Sequence, residues 1–127
     1  MKKLLIALSF VGLTACSSIT GLIPSKWDDN QSRAAVDLQV DVRHFDCTGD
    51  QKAQLAAIAR QVEWFNLYAA SKGTDDMAKL NAVFATTVKE YQDRLNQGPV
   101  SPIYCDLKKK IMIQQADIIS KAVLFRF

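Results

Sequence analysis

From residue 27 onward the apolar positions recur at three- and four-residue steps, the spacing of helices that bury one face. Over Trp27 to Phe45, which contains neither Gly nor Pro, Ala34, Ala35, Leu38, Val42 and Phe45 fall on one side of a helix, and Asp28 and Asp29 suit its first turn. Val36, Leu38, Val40 and Val42 also alternate with polar residues, so 36–42 fits a strand as well. Helix is favoured, because the surrounding chain is helical and a lone strand would have no partner. Val36 and Val40 then form a second apolar strip, opposite the main stripe.

Thr48 and Gln51 make a T-x-x-Q capping box, which predicts a second helix from there to about Lys72, with Leu55, Ile58, Val62, Phe65 and Ala69 as its seam. Gly73 supplies a left-handed stop. Thr74 is the predicted cap of a third helix, with Asp75 and Asp76 in its first turn and Met77, Leu80, Phe84, Val88, Tyr91 and Leu95 along its seam. Gly98-Pro99 ends it. Ser101 and Pro102 open a fourth helix, whose predicted inward face is Tyr104, Leu107, Ile111, Ile118, Ala122 and Phe125. Met112, Ile119 and Val123 lie beside that face and widen the apolar arc to about half the circumference. Short loops make neighbours antiparallel, so the predicted fold is an all-α, four-helix antiparallel bundle over residues 27–127.

The first 15 residues read differently. Lys2 and Lys3 precede an apolar run from Leu4 to Leu13 that is too short to cross a bilayer, and small residues then lead to Cys16, as in an export signal. Leu13-Thr14-Ala15-Cys16 resembles a bacterial lipobox. The resemblance implies a diacylglycerol on the Cys16 thiol, cleavage just before it, and acylation of the new amino group. Ser17, where Asp would signal retention at the inner membrane, implies sorting to the outer membrane. Two or three acyl chains on one residue make a stable anchor. Residues 16–26 carry Gly21, Pro24 and several serines without sustained periodicity and read as a tether.

Of three cysteines, Cys16 takes the lipid on this reading, which leaves Cys47 and Cys105 for an oxidising compartment. Cys47 falls at the end of the first helix and Cys105 in the first turn of the fourth. An up-down-up-down course puts those ends on one side of the bundle, so a disulfide is predicted.

Charge excludes one class of function. Lys2 and Lys3 leave with the signal, so 16 basic residues become 14 against 13 acidic ones, without the basic excess of a nucleic-acid binder. His44 is the only histidine, and Asp41 three residues before it is the one carboxylate spaced to pair with it on the helix. No nucleophile–base pair, phosphate loop or standard zinc spacing is present, although His44, Asp46, Cys47, Cys105 and Asp106 contain ligand types. No cofactor, metal or small-molecule substrate is expected, and no enzymatic activity. Lys108, Lys109 and Lys110 are consecutive, so on a helix they do not form one patch.

The layout resembles the small outer-membrane lipoprotein pilotins of type II secretion: a lipobox, a tether, and a helical domain with a disulfide from the end of the first helix to the start of the last. Glu90-Tyr91-Gln92 through Leu95, and then Tyr104-Cys105-Asp106-Leu107, are similar in character to that family's run into its second bridging cysteine. Cys16, Cys47 and Cys105 are the positions that carry over. The resemblance implies a periplasm-facing, non-enzymatic targeting factor that holds the C-terminal helix of a secretin subunit in an apolar groove. The expected groove draws on Val36, Val40, Trp64, Met112 and Ile119, apolar residues that the seams do not need. The rival expectation is an envelope interaction lipoprotein without a secretin partner, either a periplasmic inhibitor or a phage-encoded exclusion factor. Gene neighbourhood separates the two.

Overall fold

A computed structural model describes residues 28–125. The predicted signal (1–15), the lipidation site Cys16 and the tether (16–26) lie outside the described residues, as do residues 27, 126 and 127.

Four helices, α1 (Asp29–Arg43), α2 (Gln51–Ser71), α3 (Asp75–Asn96) and α4 (Pro102–Leu124), make up the described chain, and no strand is present in it. α1 opens at Asp28, whose carboxylate accepts from Gln31 N at 2.9 Å. It runs unbroken through 36–42, so the alternating valines are helical. The cap of α2 lies two residues later than predicted. Asp46 Oδ1 accepts both the Thr48 N–H (2.8 Å) and the Thr48 hydroxyl (2.7 Å), which removes Thr48 from capping. Asp50 caps instead, accepting from Ala53 N at 3.0 Å. The far end closes with paired bonds, Gly73 N to Ala70 O (3.1 Å) and Thr74 N to Ala69 O (3.0 Å), which require the left-handed Gly73 at φ 68°.

Thr74 occupies the cap position of α3 but makes no side-chain cap bond. Its hydroxyl donates to Ala69 O (2.9 Å) and accepts from the buried Gln31 amide (3.0 Å), so α1 takes the oxygen that the helix end would have used. α4 starts as predicted, with Ser101 Oγ accepting from Tyr104 N (3.2 Å) and Pro102 in the first turn.

The helices form a closed ring in which α1 packs on α2 and α4, and α3 packs on α2 and α4, while the diagonal pairs do not pack. This is the expected up-down-up-down bundle. The predicted seam of α2 is its buried face residue for residue; that of α3 is buried except for the half-buried Leu80, and that of α1 is buried throughout.

α4 differs. Its buried residues are Cys105, Met112, Ala116, Ile119, Ser120 and Val123, while Leu107, Ile118 and Phe125 of the predicted inward face are exposed. This rotation accords with the Cys47–Cys105 disulfide, with Cα atoms 5.9 Å apart. Residues 105, 112 and 119 are seven apart and share one side of a helix, so turning Cys105 toward Cys47 turns Met112 and Ile119 inward with it.

Candidate functional site

The five residues expected to form one groove are not brought together. Met112 (0% exposed) and Ile119 (1%) are enclosed in the core and cannot face a partner, which corrects that expectation. Val36 and Val40 are exposed on α1, on the side whose neighbours Gln39 and Arg43 reach Asp117 of α4 at 2.6 Å each. Trp64 is exposed on α2, stacked on Tyr68 with ring centroids 5.2 Å apart. With Asn30, Arg33, Asp37 and Gln61 it borders a hollow of about 340 Å³ between α1 and α2.

The larger concavity lies between α2 and α3 and holds about 710 Å³. Its lining on α2 spans Lys52 to Leu67, a run of about 22 Å at helical rise. Ala59 and Ala85, small side chains on the two facing helices, leave the space open, and Val62, Val88 and Leu95 reach it from the core beneath. The rim carries both signs: Lys52 and Lys89 against Glu63 and Asp93, with Lys89 Nζ 2.6 Å from Asp93 Oδ2. Asn66 lines the same groove, and its buried side-chain oxygen has no hydrogen-bond partner. The groove thus has an apolar floor, a rim of both charge signs and one unpartnered buried acceptor. Sequence reasoning missed it because it followed large apolar residues, whereas the signal is the alanines beside the two seams.

Around the disulfide the side chains support one another. Phe45 and Tyr104 pack on the Tyr91 ring with centroids 5.9 and 5.5 Å away. The Tyr91 hydroxyl donates to Gln51 Oε1 (2.6 Å), Gln51 Nε2 donates to Cys47 O (2.7 Å), and Lys109 Nζ donates to Phe45 O (2.7 Å). Burial, with Tyr104 and Asp106 nearby, pushes the Tyr91 phenol up to about 12. Asp106 Oδ1 lies 3.6 Å from Cys47 Sγ, a contact only, since a bridged sulfur has no proton to donate.

His44 Nδ1 donates to Val40 O of its own helix (3.0 Å), so the ring is turned to the backbone. Partial burial and Asp37 raise the Asp41 carboxyl, and His44 opposes that rise. Among the described residues no group of three His, Cys, Asp or Glu side chains is placed to hold a metal ion, and Cys47 and Cys105 bond to each other. The lysine run disperses as consecutive helical residues must: Lys108 pairs with Glu90 (3.0 Å), Lys109 bonds to Phe45 O, and Lys110 is exposed. No helix among the described residues is long and apolar enough to cross a membrane. Comparison with known proteins finds no matching family model, no matching curated protein and no matching solved structure.

Proposed function

We propose that this chain is an outer-membrane lipoprotein, anchored on the periplasmic side through Cys16, that binds a partner without transforming it. It holds an amphipathic helix of an envelope protein in the α2–α3 groove. By the resemblance to pilotins, that helix is the C-terminal segment of a secretin subunit, which the anchor delivers to the outer membrane. The observation that carries this reading is the groove itself, about 710 Å³ between the antiparallel α2 and α3 and floored by alanine, valine and leucine. Its length, about 22 Å, matches roughly four turns of a bound helix.

The test is direct binding of a labelled peptide carrying the C-terminal segment of the secretin encoded in the same genome, measured by fluorescence anisotropy. Ala85→Arg places a long charged side chain in the groove from a half-buried position, and affinity is expected to fall on the order of tenfold or more. Circular dichroism checks that the variant remains helical. Unchanged affinity in a folded variant moves the site elsewhere, and no binding by the parent chain removes the secretin assignment.

A further inference from the structure

Four of the nine large exposed apolar side chains of the described residues lie on the outward face of α4, between the exposed polar residues Lys110, Gln114 and Lys121. Ile103, Leu107, Ile118 and Phe125 are all exposed and lie on one side of the helix at offsets of 4, 11 and 7 residues. The flanking helices extend this strip. Val36 and Val40 each sit three residues before Gln39 and Arg43, which reach Asp117 of α4, and so share their side of α1. Val83 lies one turn before Thr87, whose hydroxyl accepts from Gln115 of α4 at 3.0 Å. Among the described residues the large exposed apolar side chains outside this face are Trp64 and Leu67, both on α2. Exposed apolar side chains gathered on one side, rather than scattered singly, are the mark of an interaction surface.

Charge and chain path identify what covers it. Lys110 and Lys121 are exposed within the strip, each three residues beyond Leu107 and Ile118 respectively. Of the carboxylates on that side, Asp117 is bonded by Gln39 and Arg43 and also lies near Lys121, which helps them to lower its carboxyl, and Asp106 lies beside the disulfide, so the cations on this face outnumber the carboxylates left to them. Two copies packed strip to strip would press these lysines against apolar side chains. A bilayer surface takes the apolar side chains between its lipids and offers anionic headgroups to the lysines. The pairing of α1 residues 39 and 43 with residue 117 of the antiparallel α4 places the start of α1, at Asp28, beside the end of α4, at Phe125. Eleven residues, 17–27, separate Cys16 from Asp28, and the twelve steps between the two reach at most about 40 Å, while α4 is about 34 Å long. A chain anchored at Cys16 therefore keeps the whole length of α4 within reach of the membrane.

We propose that the outward face of α4, flanked by Val36, Val40 and Val83, rests on the anionic phospholipid leaflet that holds the acyl chains of Cys16. The inference rests on the lipid-anchor reading above. It deepens that reading, because α2, which carries one wall of the α2–α3 groove, is diagonal to α4 in the ring and is then turned away from the membrane.

The test uses the full chain extracted from membranes and returned to vesicles of phosphatidylethanolamine with a quarter phosphatidylglycerol. Spin labels are placed through Leu107→Cys and Ile118→Cys, with Glu63→Cys on the groove rim as the reference, and mass spectrometry verifies that the Cys47–Cys105 bridge is intact. Labels at 107 and 118 are expected to lose access to a water-soluble nickel chelate and gain access to oxygen, while the label at 63 keeps its access to nickel. Nickel access at 107 and 118 equal to that at 63 overturns the proposal, as does spin–spin broadening at 118, which would mark an interface between copies. Phosphatidylcholine in place of phosphatidylglycerol is expected to restore part of the nickel access; undiminished protection overturns the anionic requirement. The mass of the purified chain reports acylation of Cys16 separately. If the acyl groups are absent, the anchor reading fails, and the same labels on chain added to preformed vesicles decide the α4 face by themselves.

Discussion

Met112 and Leu107 stand five residues apart on α4 and do opposite work, the first enclosed on all sides and the second 55% exposed. Met112→Ala is expected to cost about 2–5 kcal/mol, the range for emptying a buried site, whereas Leu107→Ala should stay within about 0.5 kcal/mol. Urea unfolding of the two variants checks this, and equal losses would reverse the orientation assigned to α4. Tyr91 carries a pH dependence. Its phenol is held neutral by burial up to about 12, above the ordinary value of about 10. The unfolded chain therefore loses this proton first as pH rises. Stability owed to Tyr91 is intact below about 10 and declines between there and about 12. Ultraviolet difference titration should find one tyrosine ionising late, and Tyr91→Phe should abolish that step.

Helix existence and extent were legible in the sequence because each seam keeps its period for several turns, and turn residues such as Gly73 and Ser101-Pro102 mark the ends. Caps were less legible, since they depend on which of several nearby oxygens reaches the free N–H groups first. Asp46 captures Thr48, and Asp50 takes over the start of α2. Asp50→Ala should therefore cost about 1 kcal/mol and Thr48→Ala less, a ranking that thermal melts can read. At Thr74 the competitor comes from 43 residues away, in the buried Gln31 amide, and no local pattern announces such a partner. The α2–α3 groove has the same character, because Ala59 and Ala85 are unremarkable until their helices face each other.

For the molecule as a whole, the bridge between Cys47 and Cys105 spans a sequence separation of 58 residues and ties the α1–α2 loop to α4. On the chain-entropy account it contributes about 4 kcal/mol, a large share of the stability of a domain this small. Replacing both cysteines by serine should lower the denaturation midpoint accordingly. The outward strip of α4 should also become less distinct from its inward one, seen as faster amide exchange along that helix than along α2. Unchanged exchange in α4 would mean that packing alone sets its orientation.

Period and turn chemistry, both local, were sufficient to determine four helices and their antiparallel course; the pairing of Cys47 with Cys105 needed in addition the lipobox reading, which assigns Cys16 elsewhere and puts the chain in an oxidising compartment. The rotation of α4 about its own axis was not local. Its sequence carries two apolar strips on different sides, and hydrophobicity alone does not rank them. The tertiary structure decides it: the strip that holds Cys105, bridged to Cys47 in the α1–α2 loop, turns inward with Met112, Ala116 and Ile119, because only there do its residues meet the core that α4 shares with its neighbours α1 and α3.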